Sequence, residues 1–372
     1  MSSVAPSKSS TGSHTLLGVL EQYWGYNSFL PLQREAMECV LANRDSVVVL
    51  PTGGGKSLCF QAPALCIDGL ALVVSPLISL MKDQVDALRE CGVSAAYINS
   101  TLTTQQRREV AQQIQRGELK LLYAAPERLL NGTTLDFLQS ANISLIAIDE
   151  AHCISAWGHD FRPEYRGLAA LKQAFPNAAV HAYTATATAR VRDDIAAQLR
   201  LENPAMLVGS FDRPNLVYRV GRASKRFGQV CEIIKSHPNE AGIVYCISRK
   251  EVDKTAAGLS ELGFRAAPYH AGLSDAERHR NQDDFIAERV DVIVATVAFG
   301  MGIDKSNVRF VIHAGLPKSL ENYQQESGRA GRDGLEAECW LLHAGNDAMI
   351  WRRMIENSET GAQASALESL AA

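Results

Sequence analysis

The segment Leu50-Pro-Thr-Gly-Gly-Gly-Lys-Ser57 closes an apolar run that begins at Ser46 and precedes a stretch of helical character. Glycines allow the backbone to wrap closely around phosphate, with several N–H groups pointing inward. We expect Lys56 to reach the β- and γ-phosphates of a nucleotide and Ser57 to offer its hydroxyl to Mg²⁺. The strict phosphate-loop pattern fails at Leu50, which replaces its first glycine, so a glycine-rich turn with an incidental lysine is the alternative. The residues predicted to bind the nucleotide phosphates are Thr52, Gly53, Gly54, Gly55, Lys56 and Ser57.

Short apolar runs alternate with longer amphipathic stretches along most of the chain. Continuous apolar runs are typical of strands that are buried on both faces of a parallel sheet. The alternation therefore predicts an α/β fold with open, doubly wound sheets. The predicted strands are Ser46–Leu50, Ala71–Ser75, Lys120–Ala124, Ser144–Ile148 and Val180–Tyr183, followed by Gly242–Ile247, Ala266–Tyr269, Asp291–Ala295, Phe310–His313 and Glu338–His343.

Prolines and a basic stretch interrupt this alternation around Asn203–Arg226. We therefore predict a flexible leader at 1–14, a first lobe at 15–213, a second lobe at 214–346, and a connecting helix with a tail at 347–372. The ending after 357 lacks an obvious core, as expected for a segment that was cut short. The predicted helices include Ser79–Arg89, Thr104–Arg116 and Thr188–Leu199.

Composition excludes several classes of protein. An apolar fraction of 46% over 372 residues excludes wholesale disorder. No apolar run approaches the roughly 20 residues of a membrane span. The net charge of −4 argues against a protein that coats nucleic acid by bulk charge, but leaves open a local basic groove.

The eight cysteines are scattered singly, without a Cys-x-x-Cys pair, so we expect neither a zinc site nor a redox dithiol. The amino terminus is polar and rich in serine, and it lacks the apolar core of a signal peptide. These two features predict a reducing, cytoplasmic compartment.

A second motif, Leu145-Ile-Ala-Ile-Asp-Glu-Ala-His152, places two carboxylates directly after a predicted buried strand. They should emerge at the carboxyl edge of the sheet, where α/β proteins bind ligands. We expect Asp149 to hold Mg²⁺ and Glu150 to polarise the attacking water. Acids at a strand end that merely face solvent are the alternative, which the phosphate loop on another strand disfavours.

The string Asp-Glu-Ala-His at 149–152 resembles the Walker B motif of superfamily 2 helicases. The following segment, Cys153-Ile-Ser-Ala-Trp-Gly-His-Asp-Phe-Arg-Pro-Glu-Tyr165, is similar to the aromatic-rich loop that distinguishes RecQ DNA helicases. The resemblance extends almost without gaps from about Tyr23 to about Arg353. It implies two tandem RecA-like lobes, each a mostly parallel sheet with helices on both faces.

The resemblance also implies an activity. We expect an ATP- and Mg²⁺-dependent motor that moves 3′ to 5′ on single-stranded DNA, acts on forked DNA, and serves DNA recombination and repair. A monomer in the cytoplasm, associated with the nucleoid if bacterial, is expected. The zinc-binding and winged-helix domains that usually follow this motor are expected to be absent here, which puts robust unwinding in doubt.

The aromatic-rich loop has its own physical logic. Trp157 and Phe161 can stack on unpaired bases, and Arg162 can pair with phosphate. His152 and His159 are expected to couple this loop to the hydrolysis site. The alternative is that Trp157 and Phe161 are core aromatic side chains in a tight turn.

Other segments of the first lobe follow the helicase order. In the segment Gly25–Gln33, Tyr26 is expected to stack on adenine and Gln33 to offer its amide to the base edge. Leu30 stands where many relatives carry arginine, so the contact of that arginine is in doubt. Ser75 begins a segment expected to contact the DNA backbone, although an ordinary strand-to-helix loop explains it equally well. Thr184-Ala-Thr-Ala187 is expected to link hydrolysis to strand separation, with a helix cap as the alternative.

The second lobe supplies the remaining predicted site residues. In the segment Ala295–Asp304, Thr296 is expected to contact DNA, and Gly302 and Asp304 to contact nucleotide. In Tyr245–Arg249, Ser248 and Arg249 are candidate phosphate contacts. His270 either belongs to a further helicase motif of the second lobe or is a hydrogen-bonded histidine at a strand end.

The segment Gln325–Gly334 carries two arginines that would lie near one face of a helix if the segment were helical. Arg332 is expected to act as an arginine finger on the γ-phosphate when the lobes close, with Arg329 in coupling. A surface helix with salt bridges is the alternative.

Two rival functions stay open from sequence. An RNA helicase of the DEAD or DEAH kind shares the motor motifs, and the aromatic-rich loop argues against it. A nucleotide-gated DNA-binding module without hydrolysis is the other, against which the set Lys56, Asp149, Glu150, Arg329 and Arg332 argues.

Overall fold

The computed structural model describes residues 15–158, 160–297, 299, 305–354 and 356 of the chain. The chain divides into two units, Met1–Ser210 and Phe211–Ala372, where the sequence predicts a boundary after residue 213. The predicted leader and the tail residues 357–372 lie outside the described residues.

Within the described residues, the sheet of the first unit has seven strands: β1 (Ser46–Val49), β2 (Leu70–Val74), β3 (Ala95–Ile98), β4 (Leu121–Ala124), β5 (Ile143–Ile148), β6 (Val180–Thr184) and β7 (Ala205–Val208). Neighbouring strands are parallel in the order β3-β4-β2-β5-β6-β1-β7. The carboxyl ends of all these strands therefore meet at one edge of the sheet.

Helices cover both faces of this sheet. Along β1, Val47 and Val49 pack into one apolar cluster, whereas Val48 and Leu50 pack into another on the opposite face. This alternation explains why the strand sequence is continuously apolar. The helices of the unit are α1 (Leu16–Trp24), α2 (Gln33–Leu41), α3 (Leu58–Ala64), α4 (Ile78–Glu90), α5 (Thr104–Gln115), α6 (Pro126–Leu129), α7 (Gly132–Gln139), α8 (Ala169–Ala174) and α9 (Ala189–Gln198).

The described part of the second unit repeats this architecture with six strands: β8 (Leu216–Arg222), β9 (Ala241–Cys246), β10 (Ala266–Tyr269), β11 (Val292–Ala295), β12 (Val308–Ala314) and β13 (Ala337–His343). They pair in parallel in the order β10-β11-β9-β12-β13-β8. Val244 and Ile243 of β9 pack into different apolar clusters, so this sheet too is buried on both faces. The helices are α10 (Arg226–Lys235), α11 (Arg249–Glu261), α12 (Asp275–Ile286) and α13 (Leu320–Ser327), and 347–354 are helical.

The two sheets confirm the predicted doubly wound α/β fold, and the predicted strands match observed ones to within one or two residues. Sequence analysis missed β3, β7 and β8. The interruption assigned to Asn203–Arg226 in fact contains β7 and β8, which are edge strands. Tyr218 and Val220 of β8 are exposed and alternate with arginines, so the continuous apolar signature is missing there.

Among the described residues, no helix combines the length and the apolar character needed to cross a membrane.

Candidate nucleotide-binding site and adjoining loop

The glycine-rich loop connects β1 to α3 through two backbone positions in the left-handed region. Gly53 has φ of 82° and Gly55 has φ of 68°, conformations that residues with a Cβ rarely adopt. A Cβ at Gly55 would also overlap Nε2 of Gln33. The glycines are therefore required by this turn, and they leave the backbone accessible to a phosphate group.

Gln33 supports this loop from the start of α2. Its Nε2 donates to the carbonyl of Gly55 at 3.3 Å, and its Oε1 accepts from the backbone N–H of Leu30 at 2.8 Å. The side chain is 2% exposed. The predicted contact of Gln33 with adenine would require these bonds to exchange, and it stays a prediction. Tyr26, predicted to stack on the base, is exposed.

Lys56 and Ser57 are held by groups that a phosphate or a cation can replace. Lys56 Nζ donates to the carbonyls of Leu50 at 3.2 Å and Pro51 at 3.4 Å. Ser57 Oγ accepts from Nε2 of Gln84, on α4, at 3.2 Å. The sequence places Gln84 at the end of the segment expected to contact the DNA backbone, and only its contact in the fold links it to the loop.

Asp149 follows β5 at the carboxyl edge of the same sheet. It is 5% exposed, and its Oδ1 accepts from the N–H of Glu150 at 3.0 Å. Burial, together with the negative charge of Glu150, raises the pKa of Asp149 to about 7, and the cation of Lys56 opposes that rise. A carboxylate so placed gains from a bound cation, so Asp149 and the Ser57 hydroxyl fit the all-oxygen preference of Mg²⁺.

Glu150 occupies a strained backbone position directly beside Asp149. Its φ is 48°, in the left-handed region that non-glycine residues rarely adopt, and a short 3₁₀ helix, Ala151–Ile154, follows it. Its Oε2 is buried without a hydrogen bond and lies 3.3 Å from Nδ1 of His152. Strain of this kind is a feature of functional sites, because surrounding structure must maintain it.

His152 connects the carboxylates to the Thr184-Ala-Thr-Ala187 segment. Its Nδ1 lies 2.9 Å from Oγ1 of Thr184, and that hydroxyl donates to the carbonyl of Thr186 at 3.2 Å. An imidazole with its proton on Nδ1 satisfies both contacts, because the single hydroxyl hydrogen of Thr184 then serves the second bond. Thr188, just beyond the segment, caps α9, and the predicted link between hydrolysis and strand separation stays a prediction.

The aromatic-rich loop presents its large side chains outward. Trp157 is 59% exposed and Phe161 is 36% exposed, so the alternative of two core aromatic side chains is wrong. The guanidinium of Arg190 on α9 lies 3.3 Å from the centre of the Trp157 ring. Ser155 Oγ donates to Asp194 of the same helix at 2.6 Å, which fixes the start of the loop.

Arg162 is engaged within the loop. Its Nε and Nη2 donate to Oδ2 of Asp160 at 3.1 and 3.0 Å, and its Nη1 donates to the carbonyl of Pro76 at 3.1 Å. The loop is thereby joined to the segment that begins at Ser75, whose buried hydroxyl has no hydrogen-bond partner. Contacts of Arg162 and Ser75 with DNA stay predictions. His159 lies outside the described residues.

In the second unit, α13 ends at Ser327, and Arg329 and Arg332 lie in the turns that follow it. The prediction that both arginines lie on one helix is therefore wrong. Gly331 lies between them with φ of 54°. Nη2 of Arg213 donates to the Gly331 carbonyl at 2.8 Å, and Nδ2 of Asn215 donates to it at 2.9 Å. Sequence analysis missed both supports, because they lie more than a hundred residues from the turn.

Three predicted second-lobe residues line one cavity of about 720 Å³ at the carboxyl edge of the sheet: Ser248, Arg249 and Thr296. Ser248 also caps α11, since its Oγ accepts from the N–H of Glu251. His270 is not in this group. Its two ring nitrogens pair with Asp253 and with the N–H of Gly272, as expected for a hydrogen-bonded strand-end histidine. Gly302 and Asp304 lie outside the described residues.

Two protein families match consecutive parts of the chain. The DEAD/DEAH box helicase family matches residues 30–195, and the helicase conserved C-terminal domain matches residues 225–334. The chain therefore carries the two-lobe core of a superfamily 2 helicase.

Among curated proteins, the chain is 48% identical over 347 residues to the ATP-dependent DNA helicase RecQ of Haemophilus influenzae, covering 93% of this chain and 56% of that protein. It is 47% identical over 348 residues to the ATP-dependent DNA helicase RecQ of Bacillus subtilis, covering 93% of this chain and 59% of that protein. The chain belongs to the RecQ family of helicases and spans slightly more than half the length of these relatives.

Solved structures share the fold at low sequence identity. The helicase MrfA bound to DNA and AMPPNP has a TM-score of 0.73 at 19% identity, covering 92% of this chain and 52% of that one. The S. cerevisiae helicase Dbp5 bound to RNA and ADP BeF3 has a TM-score of 0.70 at 18% identity, covering 91% of this chain and 90% of that one. The fold is thus common to helicases solved with DNA and with RNA.

Proposed function

We propose that this chain is the motor of an ATP-dependent DNA helicase that moves 3′ to 5′ on single-stranded DNA. The observation that carries the proposal is the series of side-chain contacts in the segment that follows β5. The Glu150 carboxylate, which directly follows the buried Asp149, lies beside His152, His152 contacts Thr184, and the same segment continues into the exposed ring of Trp157. The residues proposed for hydrolysis and the residue proposed for base contact therefore lie within a few positions of each other in the chain.

The first lobe supplies the hydrolysis groups. Lys56 would exchange its carbonyl partners for the β- and γ-phosphates of ATP, and Ser57 would turn its hydroxyl from Gln84 toward a cation. Asp149 and Ser57 would hold Mg²⁺, which when bound offsets the phosphate charge. Glu150, whose Oε2 lacks a hydrogen bond, would accept the proton of the attacking water.

The second lobe supplies the arginines. Arg332 would stabilise the charge that develops on the γ-phosphate, and Arg329 would couple that contact to the rest of its lobe. Arg213 and Asn215 hold the intervening turn at Gly331 and so restrict where the two side chains can point. Hydrolysis then depends on closure of the lobes, and loss of the γ-phosphate lets the lobes open again.

DNA contact would use bases in one lobe and the backbone in both. Trp157 and Phe161 offer exposed faces for stacking, which tolerates any base sequence. Ser248, Arg249 and Thr296 share one cavity wall and can follow successive phosphates. With a net charge of −4, affinity for DNA should be modest and sensitive to salt.

DNA is preferred over RNA because the aromatic-rich loop resembles the RecQ type and the two curated relatives described above carry the name of DNA helicases. We extend the same proposal to Mg²⁺ as the cation, forked DNA as a substrate, recombination and repair as the process, a monomer as the active form, and the cytoplasm or nucleoid as its location.

Steady-state ATP hydrolysis, measured with no nucleic acid, with single-stranded DNA and with single-stranded RNA of the same sequence, tests this function. We expect DNA to raise the rate at least tenfold and RNA to raise it little. Strong stimulation by RNA alone would favour the RNA helicase instead. Binding of ATP and DNA without turnover would favour a nucleotide-gated binding module.

Unwinding is tested next with a forked duplex carrying a 3′ or a 5′ single-stranded arm. The proposal predicts ATP-dependent strand separation, or translocation if separation is weak, only with the 3′ arm. Equal activity on the 5′ arm would contradict the direction.

A further inference from the structure

Three side chains of the metal-binding kind meet beside the hydrolysis site. Ligand atoms of His152, Cys153 and Asp160 all lie within 4.8 Å of one another. Cys153 Sγ is 3.7 Å from Nε2 of His152 and 3.9 Å from Oδ2 of Asp160. In a tetrahedral zinc site with bonds of about 2.0–2.3 Å, neighbouring ligand atoms are about 3.4–3.7 Å apart. The two sulfur distances lie within about half an ångström of that range, and the remaining pair, His152 with Asp160, lies within 4.8 Å and closes further when a cation binds.

The tautomer of His152 suits a metal ligand. In the tautomer with its proton on Nδ1, the imidazole donates to Thr184 Oγ1, and that hydroxyl donates to the carbonyl of Thr186. The lone pair is therefore on Nε2, the nitrogen that faces Cys153. Histidines that bind metals almost always donate their other N–H to a fixed acceptor, as this imidazole does.

The negative charge around this place favours a cation, and one of the three side chains is open to solvent. His152 and Cys153 are 1% and 0% exposed, whereas the side chain of Asp160 is 35% exposed and offers a route from solvent. The carboxylates of Glu150 and Asp160 lie on either side of the imidazole and thiol, and Arg162 offsets part of their charge by pairing with Asp160.

The donor set distinguishes this place from the magnesium site. Sulfur and imidazole nitrogen select zinc, cobalt or cadmium, whereas Mg²⁺ prefers oxygen. Sequence analysis expected no zinc site because it looked for cysteine pairs. Here a single cysteine is joined by the histidine before it and by an aspartate seven residues later.

We propose that His152, Cys153 and Asp160 bind a thiophilic divalent cation of the zinc class, with water as the remaining ligand. When the sulfur–metal bond forms, the thiol proton leaves to solvent, and the imidazole and carboxylate bind in their existing protonation states. The bound cation fixes His152 and the loop up to Arg162, and thereby inhibits ATP hydrolysis. The inhibition rests on the proposed function, whereas the binding does not.

Binding is tested with Co²⁺ as the probe, added to the reduced full chain and followed by optical absorption. The wild-type chain should show a thiolate-to-cobalt charge-transfer band and tetrahedral d–d bands that saturate at one equivalent. Cys153→Ala should abolish the charge-transfer band, and Asp160→Asn should weaken binding at least tenfold. Cys66→Ala, which removes a half-buried thiol elsewhere, is the matched control and should keep the full band.

Inhibition is tested with Zn²⁺ under saturating Mg²⁺ and ATP. Zn²⁺ should lower wild-type turnover at least tenfold, whereas Cys153→Ala should hydrolyse ATP at the basal rate and resist Zn²⁺. Thermal melting checks that the Cys153→Ala chain is folded. Cys153→Ser is the second variant that lacks the thiol. Absence of the cobalt band in wild type, or its persistence in Cys153→Ala, overturns the site. A band without inhibition overturns the regulatory part, and a band in a chain without ATPase activity counts against the proposed function alone.

Discussion

The carboxyl edges of the two sheets are built differently. In the first unit, the polar side chains at that edge are buried and bonded to one another: Asp149 is 5% exposed, His152 1% and Thr184 0%. In the second unit, Ser248, Arg249 and Thr296 line an open cavity, and the arginines follow on separate turns. The same parallel architecture thus carries an enclosed cluster of polar side chains in the first unit and a cavity lined by polar side chains in the second, where Arg329 is buried as well.

This difference teaches how one fold can divide two tasks. Burial raises the pKa of Asp149 in the first lobe to about 7, and the negative charge of Glu150 adds to that rise. An accessible surface suits a polymer that must be bound and released in every cycle. The following variants test whether the tasks are divided in this way.

The largest effect is expected from Lys56→Ala, because it removes the cation that binds the phosphates. ATP turnover should fall about a thousandfold or more, and nucleotide binding should weaken with it. A fluorescent ATP analogue measures binding, and phosphate release measures turnover. Near-normal turnover would contradict the assignment of the enclosed site.

Arg332→Ala should distinguish the contribution of the second lobe to turnover from that of the first lobe to nucleotide binding. We expect turnover to fall about a hundredfold or more while nucleotide binding stays within a few-fold of wild type, because the finger acts on the transition state. The same two assays apply. If binding falls as much as turnover, the arginine contributes to ground-state affinity, and the proposed division of tasks fails.

Trp157→Ala should affect DNA response alone. Loss of one stacking platform should raise the concentration of single-stranded DNA needed for half-maximal ATPase stimulation about tenfold and leave the basal rate unchanged. Phe227→Ala, at another exposed aromatic side chain on α10, is the control. Unchanged stimulation in the Trp157 variant would assign Trp157 a structural role.

The smallest effect is on stability and depends on pH. Since burial raises the pKa of Asp149 to about 7 in the folded chain, the folded state favours its protonated form, and stability falls as pH rises from about 4 to about 7. Without nucleotide or Mg²⁺, Asp149→Asn should therefore melt several degrees higher than wild type at pH 8. The difference should shrink toward pH 4. Asp136→Asn, on an exposed residue, should show no such trend. Equal melting of the Asp149 variant and wild type at pH 8 would show that the site is less enclosed than described.

Sequence predicted the central strands well, because strands buried on both faces are apolar throughout. It missed β7 and β8, because an edge strand such as β8 mixes Tyr218 and Val220 with arginines. Within the candidate site, local motifs predicted Lys56, Asp149 and Glu150. They could not reveal that Gln33 supports Gly55, or that Arg213 and Asn215 hold the turn at Gly331. Those contacts join distant segments, and no local spacing encodes them.

The same limit applies to the loop after Glu150. Sequence predicted that Trp157 and Phe161 contact bases, and the structure leaves both side chains accessible. It did not indicate that Arg190 would cover one face of Trp157 or that Ser155 would bond Asp194, since both partners come from α9. The packing of a helix against a loop decides such contacts, and packing is a property of the whole unit.

The most direct test of the account is the rate of ATP hydrolysis as single-stranded DNA is titrated into the wild-type chain. We predict a saturable rise of at least tenfold that weakens as salt increases. A rate that is already maximal without DNA, or that does not change as DNA is added, would contradict the claim that the enclosed site and the exposed loop act together.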